Sequence, residues 1–184
     1  RDPSDDRRRD VVPFIDLTRR YRQYEPSMVE VLRRVLASGR VLLGDELDAL
    51  ERELAAALGV AHVVGVSSGA SAIELTLVAC GVKPGDEVIV PALTAVPTAS
   101  AVCAVGAIPV PVDVDAATAC LDVEATQRAI TERTVAIVPV HLYGRPIDVD
   151  PFVRLGLPVI EDAAQAQGAR SGVVGRAAAL SVYP

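Results

Sequence analysis

The chain has 184 residues, of which 51% are hydrophobic, 3% are aromatic and 23% are charged, and its formal net charge is −6. This composition predicts one globular domain, or a large piece of a bigger one, with a core built from Val, Ala, Leu and Ile. The acidic balance argues against a nucleic-acid partner, because binding to phosphate backbones depends mainly on Lys and Arg.

Cysteine usage and hydropathy exclude further classes. Cys80, Cys103 and Cys120 are odd in number and far apart in the chain, so neither a disulfide framework nor a metal site is expected. No apolar run approaches the roughly 18 to 20 residues that span a bilayer, and the chain begins with charges rather than with an apolar signal segment. We therefore expect a cytoplasmic protein without a membrane partner.

The first third of the chain predicts two helices after a polar N-terminal segment at residues 1–12. Apolar residues recur at helical spacing after Pro26 and stop before Gly39, which predicts a helix between them. A second stripe of leucines runs from Asp45, the expected N-cap, to Gly59, the expected C-terminal stop.

From His62 onward, short apolar runs alternate with helical segments. Strands are predicted at residues 62–67, 87–92, 108–114, 134–141 and 157–163, and helices at 71–80, 94–105 and 122–130. This alternation implies right-handed crossovers between parallel strands. The predicted fold class is α/β, a mainly parallel sheet sandwiched by helices, with no domain boundary inside the chain.

Ligands of open α/β sheets bind beyond the carboxyl ends of the strands, so the residues after each apolar run are the candidates. The segment "SSGAS" (residues 67–71) opens a helix, where free N–H groups and the helix dipole attract an anion such as a phosphate. Ordinary capping by Ser67 or Ser68 explains the same residues, and for this segment alone it is the favoured interpretation.

Other site motifs are incomplete. Residues 65–69 match the G-x-S-x-G pattern of a hydrolase nucleophile, but that class needs an acid followed by a histidine, and the only later histidine, His141, precedes Asp162. The glycine patterns of nicotinamide dinucleotide sites and of P-loops are absent.

The segment "PVIEDAAQAQGA" (residues 158–169) ends an apolar run in two carboxylates. Asp162 can cap the next helix, and Glu161 can pair with an arginine. Alternatively, Asp162 can hold a protonated pyridine nitrogen through a charge-assisted hydrogen bond, as pyridoxal enzymes require. The segment by itself does not decide between these roles.

Segments spread over nearly the whole chain resemble the DegT/DnrJ/EryC1/StrS family of sugar aminotransferases. They are "VPFIDLTRRYR", "GRVLLGDELDALERELAAALG", "VSSGASAIELTL", "GVKPGDEVIVPALT", "AIPVPVDVD", "AIVPVHLYGRPIDVDP", "LPVIEDAAQAQGA" and "ALSVYP". The resemblance implies an aspartate-aminotransferase type of fold, with residues 13–184 as the N-terminal part of the large domain. It also implies pyridoxal 5'-phosphate as cofactor and a homodimer with the active site at the subunit interface, in which Gly39–Gly44 lies near the partner's site. The expected reaction transfers an amino group from glutamate or glutamine to a keto sugar nucleotide, in amino sugar and antibiotic biosynthesis.

The resemblance also assigns site residues by position. Asp162 would pair with the pyridine nitrogen, Gln165 would approach the ring hydroxyl, and Glu161 would be a structural neighbour. The remaining cofactor contacts would be Gly69, Ala70, Ser71 and Ser181 at the phosphate and Ala95 beside the ring.

This chain departs from the family pattern at three places. Ala70 stands where the family usually has Thr, and Ala95 stands where an aromatic residue commonly stacks on the ring. The Schiff-base lysine of the family would fall two positions past Pro184, and Lys83, the only lysine present, lies in a predicted surface turn. No catalytic residue is therefore assigned within the chain. The sequence is expected to be the first half of a longer polypeptide. The alternatives are a relative with histidine in place of lysine, as in dehydratases of the family, and a binding or regulatory protein.

Overall fold

The computed structural model describes residues 14–169 and 173–182, so the polar segment predicted at residues 1–12 lies outside the described residues. The chain forms two compact units, one that extends to Ala49 and one that begins at Leu50. Within the described residues, no helix combines the length and the apolar character that a membrane crossing requires.

The first unit contains helix α1 (Leu17–Ser38) and the start of helix α2 (Asp45–Leu58). A side-chain oxygen of Asp16 accepts a 2.9 Å hydrogen bond from the N–H of Arg19 and so caps α1, while Gly39 ends it with a φ of +69°. The predicted helix began near Pro26, but α1 starts nine residues before it and continues through the proline. The cap at Asp16 accounts for the earlier start. The second predicted helix is confirmed as α2, except that Asp45, the expected N-cap, is its first helical residue.

The second unit alternates helices and strands in the predicted manner. After α2, the chain forms α3 (Gly69–Ala79), β1 (Glu87–Pro91), α4 (Val96–Ala104), β2 (Ile108–Val112), α5 (Val123–Ala129), β3 (Thr134–Ile137), a 3-10 turn (Leu142–Gly144), α6 (Asp150–Val153), β4 (Ile160–Asp162) and β5 (Ala177–Ala179).

The strands form parallel ladders. β1 pairs in parallel with β2 on one side and with β3 on the other, and β4 pairs in parallel with β5. Parallel bridges from Ile137 to Val159 and from Val140 to Asp162 connect β3 to β4. The resulting order is β2-β1-β3-β4-β5, which confirms the predicted parallel α/β sheet and places the carboxyl ends of all five strands at one edge.

Helices cover both faces of this sheet. Val88 and Val90 of β1 pack in one core cluster with α3 and α4, whereas Ile89 packs in a second cluster with Phe152 of α6. Successive side chains of a strand point to opposite faces, so this alternation shows that β1 is buried on both sides.

Two strand predictions differ from the structure. Residues 62–67 were expected to form a strand but are assigned to none, and no described strand pairs with them. The N–H of Gly65 donates instead to a carboxylate oxygen of Glu51, at 2.6 Å. Conversely, β5 consists of three alanines, whose low β-propensity hides the strand from sequence analysis.

Candidate functional site

The start of α3 lies at the carboxyl edge of the sheet and carries a group of serine hydroxyls. Oγ of Ser68 accepts the N–H of Ser71 at 3.1 Å, which confirms capping. The hydroxyls of Ser67 and Ser68 both donate to Oγ of Ser71, at 2.9 and 3.1 Å. The hydroxyl proton of Ser71 is therefore directed away from both serines. Since a helix leaves its first N–H groups without intrahelical acceptors, this end of α3 can bind an anion.

Gly69 brings this helix start close to the segments that follow β4 and β5. A methyl group at Gly69 would lie 3.3 Å from Cβ of Ser181 and 3.8 Å from Cβ of Ala164. Both are ordinary or slightly tight contact distances, so the helix start, Ser181 and the turn after Asp162 meet at one point. The structure thus brings together the residues that the sequence assigned to a phosphate.

Asp162, the last residue of β4, has only 6% of its surface exposed. Its Oδ2 accepts a 2.8 Å hydrogen bond from the hydroxyl of Thr98, and its Oδ1 accepts a 3.1 Å bond from the N–H of Ala164. Residues 163–169 contain turns and no helix, so the expected helix cap is wrong and Asp162 stabilises the turn after β4 instead. These two bonds use only part of the hydrogen-bonding capacity of Asp162, because an ionised carboxylate accepts about four hydrogen bonds.

No cation compensates this buried carboxylate among the residues that the structure describes, since none of their ion pairs includes Asp162. Burying an ionised carboxylate without a partner is costly. A ligand with a positively charged N–H, such as a protonated pyridine, would supply that partner at the edge of the sheet.

Gln165 lies three residues beyond Asp162 and is oriented by the 3-10 turn. Its Oε1 accepts a 2.7 Å hydrogen bond from the N–H of Tyr143. Tyr143 has a φ of +56°, in the left-handed region that residues other than glycine rarely occupy. Because its oxygen is engaged, the amide of Gln165 has its NH₂ group left to donate, and such a donor suits a phenolic oxygen.

Glu161 faces the other side of the sheet, where it is 2% exposed. Its Oε1 accepts the N–H groups of Val174 and Gly175, at 2.7 and 2.8 Å, and its Oε2 lies 2.8 Å from Nε2 of His141. Burial opposes its ionisation, but the bonds from His141 and from the two N–H groups outweigh burial and lower the pKa of Glu161. Among the residues that the structure describes, Glu161 therefore pairs with His141 and with no arginine.

The adjacent cavity is too small for a substrate. It is lined by His141, Glu161 and Ala163 among others, and its volume of about 30 Å³ suits a water molecule. This pair therefore belongs to the interior, which supports the structural role expected for Glu161. His141 is also unavailable to Ser67 for hydrolase chemistry, because its second ring nitrogen accepts the N–H of Ile147 at 3.1 Å.

Ala70 and Ala95, the two positions where this chain differs from the family pattern, are exposed to different degrees. Ala70 is half-buried in the first turn of α3, and Ala95 is an exposed N-cap of α4 that makes no side-chain capping bond. Thr98 and Tyr143 were not predicted, because their partners Asp162 and Gln165 are distant in the chain, and Thr94 was not predicted because it reaches Asp162 only through Thr98. A threonine three residues after the end of the "PALTA" segment was the only available signal for Thr98.

Comparisons with known proteins show which family this chain resembles. Residues 23–184 match the model of the DegT/DnrJ/EryC1/StrS aminotransferase family. The chain is 48% identical to the "erythromycin biosynthesis sensory transduction protein EryC1" of Saccharopolyspora erythraea, with 94% of this chain and 50% of the relative covered. It is 46% identical to the "dTDP-3-amino-3,4,6-trideoxy-alpha-D-glucose transaminase" of Streptomyces venezuelae, with 94% and 48% covered.

Solved structures give the same result. S. venezuelae DesV in complex with a ketimine intermediate superposes with a TM-score of 0.90 at 46% identity, over 94% of this chain and 49% of that one. The NtdA protein of Bacillus subtilis with bound cofactor PMP superposes with a TM-score of 0.82 at 38% identity, over 87% and 38%. The chain spans about half the length of the curated relatives that it matches. On this evidence, the chain belongs to the DegT/DnrJ/EryC1/StrS aminotransferase family.

Proposed function

We propose that this chain binds pyridoxal 5'-phosphate and forms the cofactor-binding part of a sugar aminotransferase. The protein would transfer an amino group from glutamate or glutamine to a keto sugar nucleotide, in a pathway to an amino sugar of an antibiotic. The observation that carries the proposal is Asp162, a buried carboxylate held by Thr98 and Ala164 that no cation among the described residues compensates.

The donors and acceptors at the carboxyl edge of the sheet suit the three polar parts of this cofactor. The anionic phosphate would lie at the start of α3, against Gly69, Ala70 and Ser71 and beside Ser181. The protonated ring nitrogen would face Asp162. The ring hydroxyl would accept from the amide of Gln165, whose oxygen Tyr143 already holds.

When bound, the cofactor supplies an electron sink for the carbon that exchanges its amino group. Asp162 would hold a proton on the ring nitrogen, because a buried carboxylate favours the charged form of a nearby cation. Ser71 and the N-terminus of α3 would anchor the phosphate and so fix the position of the ring. The lysine that moves protons in this family is proposed two positions past Pro184, in a large domain that begins at residue 13.

We also propose that the protein is a cytoplasmic homodimer with its active site at the subunit interface. In support, α1 buries none of its residues and exposes Leu17, Met28 and Leu36 to solvent, at 56%, 56% and 61%. Apolar surface of this extent is typical of an interaction site. Light scattering on the full-length protein would test the proposal, and a monomer at micromolar concentration would contradict it.

A regulatory protein of the same fold is the second candidate. It is favoured by the name of the EryC1 relative, a sensory transduction protein, and by the replacements at Ala70 and Ala95. Such a protein would bind the cofactor or a sugar nucleotide without turnover.

One experiment distinguishes the two candidates. The full-length protein is loaded with pyridoxal phosphate and mixed with glutamate or glutamine, and then with a dTDP-linked keto sugar. A shift of the cofactor absorption band, release of the 2-oxo acid and an aminated sugar by mass spectrometry would support the aminotransferase. Cofactor binding without release of the 2-oxo acid from either donor would favour the regulatory protein, and absence of cofactor binding would contradict the proposed site.

A further inference from the structure

Thr98 is fully buried in the first turn of α4, and its hydroxyl lies 2.8 Å from Oδ2 of Asp162, across 64 residues of sequence. A second hydroxyl, that of Thr94, lies 2.7 Å from the hydroxyl of Thr98. The three side chains therefore form a continuous chain of hydrogen bonds that begins at half-buried Thr94 and ends on the carboxylate.

The direction of this chain follows from the chemistry of its last member. An ionised carboxylate only accepts hydrogen bonds, so Thr98 must donate to Asp162. A hydroxyl has a single proton, so Thr98 must accept from Thr94. Each donated bond polarises the next, and the two threonines therefore act on Asp162 as one unit.

The geometry also fixes the orientation of the carboxylate. Thr98 holds Oδ2 and the N–H of Ala164 holds Oδ1, so rotation of the carboxylate about its last side-chain bond would break at least one of these bonds. Both donors approach from within the protein, and the remaining lone pairs stay available to a ligand.

We propose that Thr98, assisted by Thr94, is a positioning residue that holds the carboxylate of Asp162 in line with the ring nitrogen of the cofactor. This inference rests on the proposed function, because it requires that Asp162 binds that nitrogen. Without the hydroxyl, the carboxylate would have to be ordered when the cofactor binds. Affinity for pyridoxal phosphate should then fall by about threefold to tenfold, the factor expected for ordering one side chain.

A comparison of two cofactors tests this inference in the full-length protein. The dissociation constants of pyridoxal phosphate and of its 1-deaza analogue, in which C–H replaces the ring nitrogen, are measured for the native protein and for Thr98→Val. If Thr98 acts through the ring nitrogen, Thr98→Val weakens binding of pyridoxal phosphate and leaves binding of the analogue unchanged. Thr98→Ser keeps the hydroxyl and should restore the native ratio of the two dissociation constants. Thr94→Val should also weaken binding of pyridoxal phosphate alone, but by less than Thr98→Val.

The controls separate a positioning role from a structural one. Thr126→Val removes the hydroxyl of another fully buried threonine, in α5, which donates to the carbonyl of the N-cap Asp122, and should change neither dissociation constant. Thr98→Ala provides a second variant without the hydroxyl in case valine prevents folding.

Each outcome has a separate meaning. The inference would be overturned if Thr98→Val weakened the binding of both cofactors equally, or the binding of neither. If Asp162→Asn also changes the two dissociation constants equally, the proposed role of Asp162 is wrong as well. If Asp162→Asn weakens binding of pyridoxal phosphate alone and Thr98→Val does not, only the inference about Thr98 is wrong.

Discussion

Nε2 of His141 donates a 2.8 Å hydrogen bond to Oε2 of Glu161, and the two side chains are only 4% and 3% exposed. The direction of this bond follows from the opposite ring nitrogen, Nδ1, which accepts the N–H of Ile147 and therefore carries no proton. The charge of Glu161 is thus stabilised by three hydrogen-bond donors, one on His141 and two on the adjacent residues Val174 and Gly175.

Glu161→Gln should destabilise the protein by about 2 to 3 kcal/mol at neutral pH, the value of hydrogen bonds to a buried charged group. The amide can still accept from Val174 and Gly175, but its NH₂ group would face the N–H of His141. Chemical denaturation measures this loss. Glu124→Gln, at an exposed position in α5, should stay within about 0.5 kcal/mol of the native protein.

The same substitution should change the pH dependence of stability. The pKa of Glu161 is lowered in the folded protein from its ordinary value of 4.5, so the folded state binds this proton less readily than the unfolded state. The stabilisation is therefore present above pH 4.5 and is lost as the pH falls through the lower, folded-state pKa. We expect the native protein and Glu161→Gln to converge in free energy of unfolding on acidification. A difference that is constant with pH would contradict this account.

Asp162→Asn should lower the rate of amino transfer on the order of 100-fold while the protein remains folded. The amide cannot hold a proton on a ring nitrogen, and a charge-assisted hydrogen bond would be lost. Steady-state kinetics measures the rate, and circular dichroism checks the fold. Unchanged activity in a folded variant would reject the ring-nitrogen role.

Ala95→Phe should tighten cofactor binding by about threefold to tenfold, if Ala95 faces the pyridine ring. An aromatic side chain would then add a stacking contact worth about 0.5 to 1.5 kcal/mol. Ala104→Phe, at an exposed alanine at the opposite end of α4, is the matched control and should leave affinity unchanged. Fluorescence titration with pyridoxal phosphate gives both values. Equal effects of the two substitutions would argue against a ring contact at Ala95.

Gly175→Ala should destabilise the protein by about 2 to 4 kcal/mol, because its methyl group would lie 2.5 Å from the carbonyl oxygen of Val159. That contact is with backbone, so the segment before β5 would have to move. Gly69→Ala would place its methyl group 3.3 Å from Cβ of Ser181 and should cost less. Thermal unfolding compares the two variants, and the reverse order of stability would contradict this packing.

Local patterns were sufficient for most of the fold. The helical stripe of α2, the alternating segments from β1 to β4 and their parallel direction are all predicted from sequence and confirmed. The prediction of strands failed where pairing with a neighbouring strand decided whether a segment forms one. Residues 62–67 have the composition of a strand but no strand partner among the described residues, while β5 lacks β-forming residues and is a strand because it pairs with β4.

For the candidate site, the sequence by itself determined the family and nominated Ser71, Asp162 and Gln165, because these residues lie in recognisable segments directly after strands or at a helix start. It did not determine what holds these residues. Only the tertiary structure decided that Thr98 contacts Asp162, that Tyr143 orients Gln165, and that His141 is a partner of Glu161. The physical reason is that these hydrogen bonds join different strands and helices, so they depend on how the sheet brings distant segments together and leave no periodic pattern in the sequence.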